Sequence, residues 1–225
     1  MRLHEELLLL VLSDEKGTAK GTYADLAVGA GVVGELITEG RLEVADDKHG
    51  TVTVVDASPT GDPALDLVLD KIASARRSRP LKAWIERAGN TRRMRDRVAE
   101  SLVAQGVLRR QPKKVLGIFP TTRYPEADPE PQQELVERLR AAVVGDGPTT
   151  DVDERTCLVV AIAAAAEVLP RVLGRKEVAQ RKERIAALAS DERLGEATRK
   201  AVEQLQAAIV VVIAAGAASA GASGQ

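Results

Sequence analysis

This 225-residue sequence is poor in several residue types that carry chemistry. It has one cysteine, Cys157, two histidines, His4 and His49, and four aromatics: Trp84, Tyr23, Tyr124 and Phe119. A single cysteine excludes a disulfide within the chain, and two isolated histidines leave no Cys/His metal set, so no metal and no cofactor is expected. Cys157, inside "TCLVVAIAAAA", reads as a small buried hydrophobe, and the two histidines read as solvated surface groups. Few aromatics mean a core of Ala, Val, Leu and Ile, a mix that favours closely packed helices. Long apolar runs are also missing. Residues 158–166 and 207–215 are the longest after the N-terminus, well short of the roughly 20 residues that span a bilayer. The N-terminal "MRLHEELLLLVLSDEKG" has an arginine and an apolar run, but Glu5 and Glu6 precede the run and no small-residue cleavage site follows, so it reads as a helix and not a signal peptide. These features predict a cytoplasmic protein that can still sit on a membrane surface.

Net charge is −1, but its distribution is uneven. Residues 76–123 hold 14 Lys/Arg and 3 Asp/Glu, a net of +11, and the remainder carries a net of −12. One-sided charge of this kind suits a polyanionic partner: nucleic acid, anionic lipid or an acidic protein.

Periodicity and punctuation predict helices over 3–12 and 22–39, short strands at "RLEV" and "TVTVV", and a helix entered through Asp62 and Pro63. A short helix carries Trp84 in a packing role. In "NTRRMRDRVAESLVAQG", Asn90 caps a helix whose Met94, Val98 and Leu102 form an apolar stripe and which Gly106 ends. "VLRRQPKKVLGIFPTTR" reads as two strands, and helices follow at about 132–144, 151–169, 175–189 and 192–215. The fold class expected is mainly α: a single-domain helical bundle surrounded by amphipathic helices, with one or two short β-hairpins. The domain spans 1–215, with a flexible tail over 216–225.

"GAGVVG" (Gly29–Gly34) fits the dinucleotide pattern G-x-G-x-x-G, and Asp56 stands at a suitable distance for a ribose contact. The glycines follow helical rather than strand periodicity, and no strand–helix alternation comes after. Close helix contact is the better account. No P-loop, G-x-S-x-G or H-E-x-x-H is present and no paired general acid and base stands out, so a non-enzymatic protein is expected.

The basic segment offers two devices. Arg92 and Arg95 lie three residues apart on one helix face, with Arg97 two further on, and an arginine pair one turn apart suits a phosphomonoester. In "KKVLGIFPTTR", a hairpin tip of Val115, Leu116, Gly117, Ile118 and Phe119 stands between Lys113, Lys114 and Arg123. An apolar tip among cations matches a membrane interface, where apolar side chains reach the acyl boundary and cations stay at anionic headgroups. A helix followed by a basic hairpin also fits a winged-helix reader of nucleic acid. An apolar tip is a poor DNA wing, so nucleic acid is the weaker alternative.

In their order and spacing, "LHEELLLLVLSDEKGT", "GELITEGRLEV", "SPTGDPALDLVL", "WIERAG", "RRMRDRVAESLVAQGVL" and "VLGIFPTTRYP" make the chain resemble the Golgi phosphoprotein 3 family (the GPP34 domain), including its bacterial members. The resemblance implies a central helical bundle with a projecting hydrophobic hairpin. It also implies a pocket that binds phosphatidylinositol 4-phosphate on the cytoplasmic face of a membrane, and a membrane-protein client. Arg92 and Arg95 match two phosphate-binding arginines of the family, and "VLGIF" matches the hairpin tip. The family's third arginine is missing, since Gly29 falls at or near its place, and Tyr23 is the nearest candidate for the pocket's aromatic residue.

Overall fold

The computed structural model describes residues 1–12, 17–47, 50–91, 93–115, 119–190 and 196–222, with the backbone alone at 114–115, 119–120, 196–198 and 216–222. Two helices that are buried on nearly every side form its centre. Helix α1 (Leu3–Val11) is buried at every position, and α2 (Ala24–Thr38) is buried from Ala24 to Leu36 save for Asp25. A helix that is apolar over most of its circumference must be enclosed, and its few polar groups must find partners inside. The enclosure is made by α3 (Pro63–Ala73), α4 (Leu81–Gly89), α5 (Met94–Ala104), α6 (Glu130–Val143), α7 (Glu154–Ala165) and α11 (Glu196–Ala222), several of which bury a single stripe. In α3 that stripe is Ala64, Leu65, Val68, Leu69 and Ile72, and in α6 it is Leu135, Leu139, Ala142 and Val143. Cys157 and Trp84 are both buried, as expected. No helix among the described residues is long and apolar enough to cross a membrane.

The glycines of "GAGVVG" lie inside α2, not in a strand-to-helix turn, which removes the dinucleotide reading. Gly29 is where α2 crosses α4: a Cβ there would stand 2.5 Å from Gly89 N and 2.7 Å from the Ile85 carbonyl oxygen. Asp56, the would-be ribose ligand, instead binds Arg41 and Ser58 at the surface.

Strands β1 (Leu42–Val44) and β2 (Thr51–Val54) form an antiparallel hairpin, and β3 (Arg79–Pro80) adds to β2. β4 (Gln111–Val115) and β5 (Phe119–Arg123) pair antiparallel from Gln111↔Arg123 to Val115↔Phe119. Both strands are edges, which tolerates Pro112 and Pro120. This hairpin packs chiefly on itself. Its base is tied to the body where Arg109 N donates to Pro125 O (2.9 Å) and Tyr124 N to Gly17 O (3.0 Å). Gly17 sits at φ +55°, and a Cβ there would lie 2.1 Å from Pro125 N.

Four details differ from the sequence reading. Asn90 ends α4 instead of starting α5, whose N-cap, Arg93 at φ 62°, stands three positions further on. The helix expected over 151–169 breaks at Glu167 (φ 56°) before α8 (Leu169–Val172), and that over 175–189 divides at Arg181 into α9 (Arg175–Gln180) and α10 (Lys182–Ala189). Helical backbone also continues past residue 215 to Ala222.

Candidate functional site

The expected binding residues divide between three places. Arg97 and Lys113 line a groove of about 1090 Å³ between α5 and the β4–β5 hairpin, together with Arg93, Arg110, Asp96 and Glu100. Positive charge dominates, but it is partly answered: Arg110 Nε lies 3.3 Å from Glu100. Tyr124 donates to the same carboxylate at 3.1 Å, and burial first, then the Asp96 and Glu100 charges, push its phenol well above the usual range.

Arg95 points elsewhere. Residues two apart on a helix face nearly opposite ways, so Arg95 leaves the groove and meets Asp25, in the first turn of α2, at 2.6 Å. The pair is half exposed, 43% and 52%, and such a surface pair contributes about 0–1 kcal/mol. Tyr23 is the N-cap of α2, two residues from Asp25, and it lines a separate cavity of about 400 Å³ with Lys20, Arg171, Arg175 and Lys182. Arg95 and Tyr23 therefore meet the same end of α2, while Arg97 faces the hairpin. Arg92 and the tip residues Leu116, Gly117 and Ile118 lie outside the described residues, as does His49. At Lys114, Val115 and Phe119 only the backbone is described.

The buried ionic set around α1 escaped the sequence reading. His4 is fully buried, not solvated, and its Nε2 lies 3.2 Å from Asp62 Oδ2. Glu35, a carboxylate in apolar α2, accepts from Leu3 N at the start of α1 (2.6 Å) and from Arg155 (2.9 Å). Glu6 takes Arg138 and Arg155. Burial alone would raise the Asp62 carboxyl. The His4 bond and charge, with the Leu65 and Ala64 N–H groups, outweigh it and hold the pKa at about 2. The available signal was "HEE" directly before a leucine run and a lone Glu35 among apolar residues, since a buried charge must find a partner.

His4, Glu5 and Asp62 place metal-ligand atoms within 4.8 Å of one another. The two carboxylates already accept from several donors, while the buried His4 Nδ1 has no hydrogen-bond partner. Glu5 accepts from Ser101 (2.7 Å), Gln105 (2.7 Å) and Arg2 N (2.8 Å), and Asp62 Oδ1 accepts from Ala64 N and Leu65 N. Arg2 Nε, 4.0 Å from Asp62, adds positive charge. The donor set fits a structural hydrogen-bond network better than a cation.

The class defined by these features is a mainly helical bundle with a buried ionic set around α1 and basic grooves beside a self-paired hairpin. The family model of Golgi phosphoprotein 3 (GPP34) matches residues 3–205, and the chain belongs to that family. It is similar to Vacuolar protein sorting-associated protein 74 of Eremothecium gossypii, 27% identical over 215 aligned residues that cover 80% of this chain. The alignment spans 64% of that protein's length.

Proposed function

We propose that this protein is a non-enzymatic peripheral membrane protein that binds anionic phospholipid through α5 arginines and the β4–β5 hairpin. By family resemblance the headgroup is phosphatidylinositol 4-phosphate and the place is the cytoplasmic face of a membrane. The observation that carries this reading is a hairpin that packs chiefly on itself, with Val115↔Phe119 as its last described pair, next to a groove lined by Arg93, Arg97, Arg110 and Lys113.

The roles follow from chemistry. Arg92 and Arg95 hold a lipid phosphate, with Asp25 as the partner that Arg95 gives up on binding. Arg97, Lys113 and Lys114 sit at the headgroup layer, where each cation contributes about 1 kcal/mol near an anionic surface. Val115, Leu116, Ile118 and Phe119 enter the interface, at no more than about 1.5–3 kcal/mol each. Together these give reversible association. Tyr23, at the α2 end that Arg95 meets, borders the phosphate. A membrane-protein client is compatible with the reading, and nothing in the residues specifies one.

Co-sedimentation with neutral, generally anionic and phosphatidylinositol 4-phosphate vesicles is the test. Salt-sensitive binding to anionic vesicles, strongest with the phosphoinositide, is expected. Equal binding to neutral vesicles, or none to any, sinks the reading. A mobility shift with duplex DNA at physiological salt would then favour the nucleic-acid alternative.

A further inference from the structure

The basic segment folds into two separate regions, and the α5 groove accounts for only one. The other is a cavity of about 870 Å³ at the α3–α4 junction, lined by Lys71, Arg76, Arg77, Arg79, Arg87 and Trp84. The chain assembles it from four elements. Lys71 is in the last turn of α3, Arg76 and Arg77 are in the turn that follows, Arg79 is on β3, and Arg87 is in the last turn of α4.

No carboxylate lines this cavity, and among the described residues none of its five cations is in an ion pair. Lys71 has a neutral partner, donating to Thr91 Oγ1 at 3.0 Å, while Thr91 donates to Arg87 O at 2.6 Å. Lys71 and Arg87 also stand at helix C-termini, where the dipole is negative and answers part of their charge. Arg76, Arg77 and Arg79 have no such compensation.

Trp84 is a second, independent sign of a ligand. It is 3% exposed and its Nε1 has no hydrogen-bond partner. A buried donor left unpaired is costly and uncommon. Trp84 lines the cavity, so an anion seated there lies beside the ring that carries this unpaired donor. The Arg87 guanidinium lies 5.8 Å from the Trp84 ring centroid, which holds one cation over the aromatic face.

We propose that this cleft is a second anion site, distinct from the α5 groove, that takes a compact ligand bearing two or more phosphates. One phosphate cannot answer three uncompensated arginines flanked by two further cations, and the volume falls in the range of ligand pockets. The shared chemistry is a clustered polyphosphate. Its source is either a soluble molecule or a phosphorylated lipid headgroup. The site does not depend on the hairpin.

Trp84 is the chain's single tryptophan, so its emission reports on this cavity alone. The full-length chain is titrated with inorganic pyrophosphate, and with sodium chloride at matched ionic strength. A saturable change in Trp84 emission with pyrophosphate and not with chloride is expected. The double variant Arg77→Gln/Arg79→Gln alters exposed side chains and should weaken the response about tenfold or more with its unfolding midpoint unchanged. Arg97→Gln/Lys113→Gln, in the other region, should leave it intact. No saturable response, a response reproduced by chloride, or a double variant that titrates like the parent overturns the proposal.

Vesicles of phosphatidylcholine with and without phosphatidylinositol 4-phosphate then separate the sources. A double variant that loses both pyrophosphate and vesicle binding makes the ligand a headgroup, and one that loses pyrophosphate alone makes it soluble. If phosphoinositide vesicles bind while Trp84 stays silent to pyrophosphate, the second site falls and the membrane reading stands.

Discussion

Along the sequence, residues 76–123 form one basic block. In three dimensions they make two surfaces of different character. At the α3–α4 cleft five cations meet no carboxylate among the described residues. At the α5 groove Asp96 and Glu100 stand among the cations, Arg110 pairs with Glu100, and Arg95 is held by Asp25 from another helix. Formal charge is the same currency in both, but among the described residues the groove includes two carboxylates and the cleft none. The difference arises from long-range partners. Asp25 lies 70 residues before Arg95 and reaches it only because the first turns of α2 and α5 come together.

The largest expected effect comes from trying to strengthen the α5 site from α2. Gly29→Arg should not raise lipid affinity. A Cβ at 2.5 Å from Gly89 N forces α2 and α4 apart, so thermal unfolding should show a loss of at least about 3 kcal/mol. Gly29→Ala should already be clearly destabilised, and a stable Gly29→Arg with tighter phosphoinositide binding would contradict the packing account.

Next comes the interior, where charge is fully answered. Asp62 is held at about 2 against an ordinary value of 3.8. A depressed carboxylate contributes stability that is fully present above the unfolded value and is lost as pH falls through the folded one. Unfolding free energy should therefore drop by about 2 kcal/mol between roughly pH 4.5 and 2 from this group. In Asp62→Asn that component of the acid profile should vanish, along with part of the stability at neutral pH.

A smaller effect tests the hairpin. Phe119→Asp should weaken binding to anionic vesicles about tenfold while the unfolding midpoint stays put, because β4 and β5 pack chiefly on each other. Smallest is Asp25→Asn, which frees Arg95 and makes the two basic regions more alike. Stability should change by less than about 1 kcal/mol, and anionic-vesicle affinity should rise about threefold. A fall in affinity would mean that Asp25 positions Arg95 and does not compete for it.

Much of the fold was legible. Helix periodicity, the Asp62–Pro63 cap, and the stripe Met94, Val98 and Leu102 are local features, and each appears where its chemistry places it. Breaks set by backbone conformation were not. Neither Arg93 nor Glu167 advertises a positive φ, and Asn90 mimics a cap while closing the preceding helix. The site was half legible. Residue types and spacing put arginines on α5 and an apolar stretch at a hairpin tip. They could not tell that Arg95 and Arg97 diverge, that Gly29 has no room for a side chain, or that Arg76, Arg77 and Arg79 line one cavity with Trp84. Those facts depend on which distant elements pack together.

The most direct test of the membrane account is the environment of the hairpin tip. Cys157 is 1% exposed, so a cysteine introduced as Gly117→Cys can be labelled selectively with an environment-sensitive fluorophore. With anionic vesicles the account predicts a blue shift that neutral vesicles do not produce and that high salt reverses. A label that stays in water while the protein sediments with anionic vesicles would contradict it, because the hairpin would then play no part in the contact.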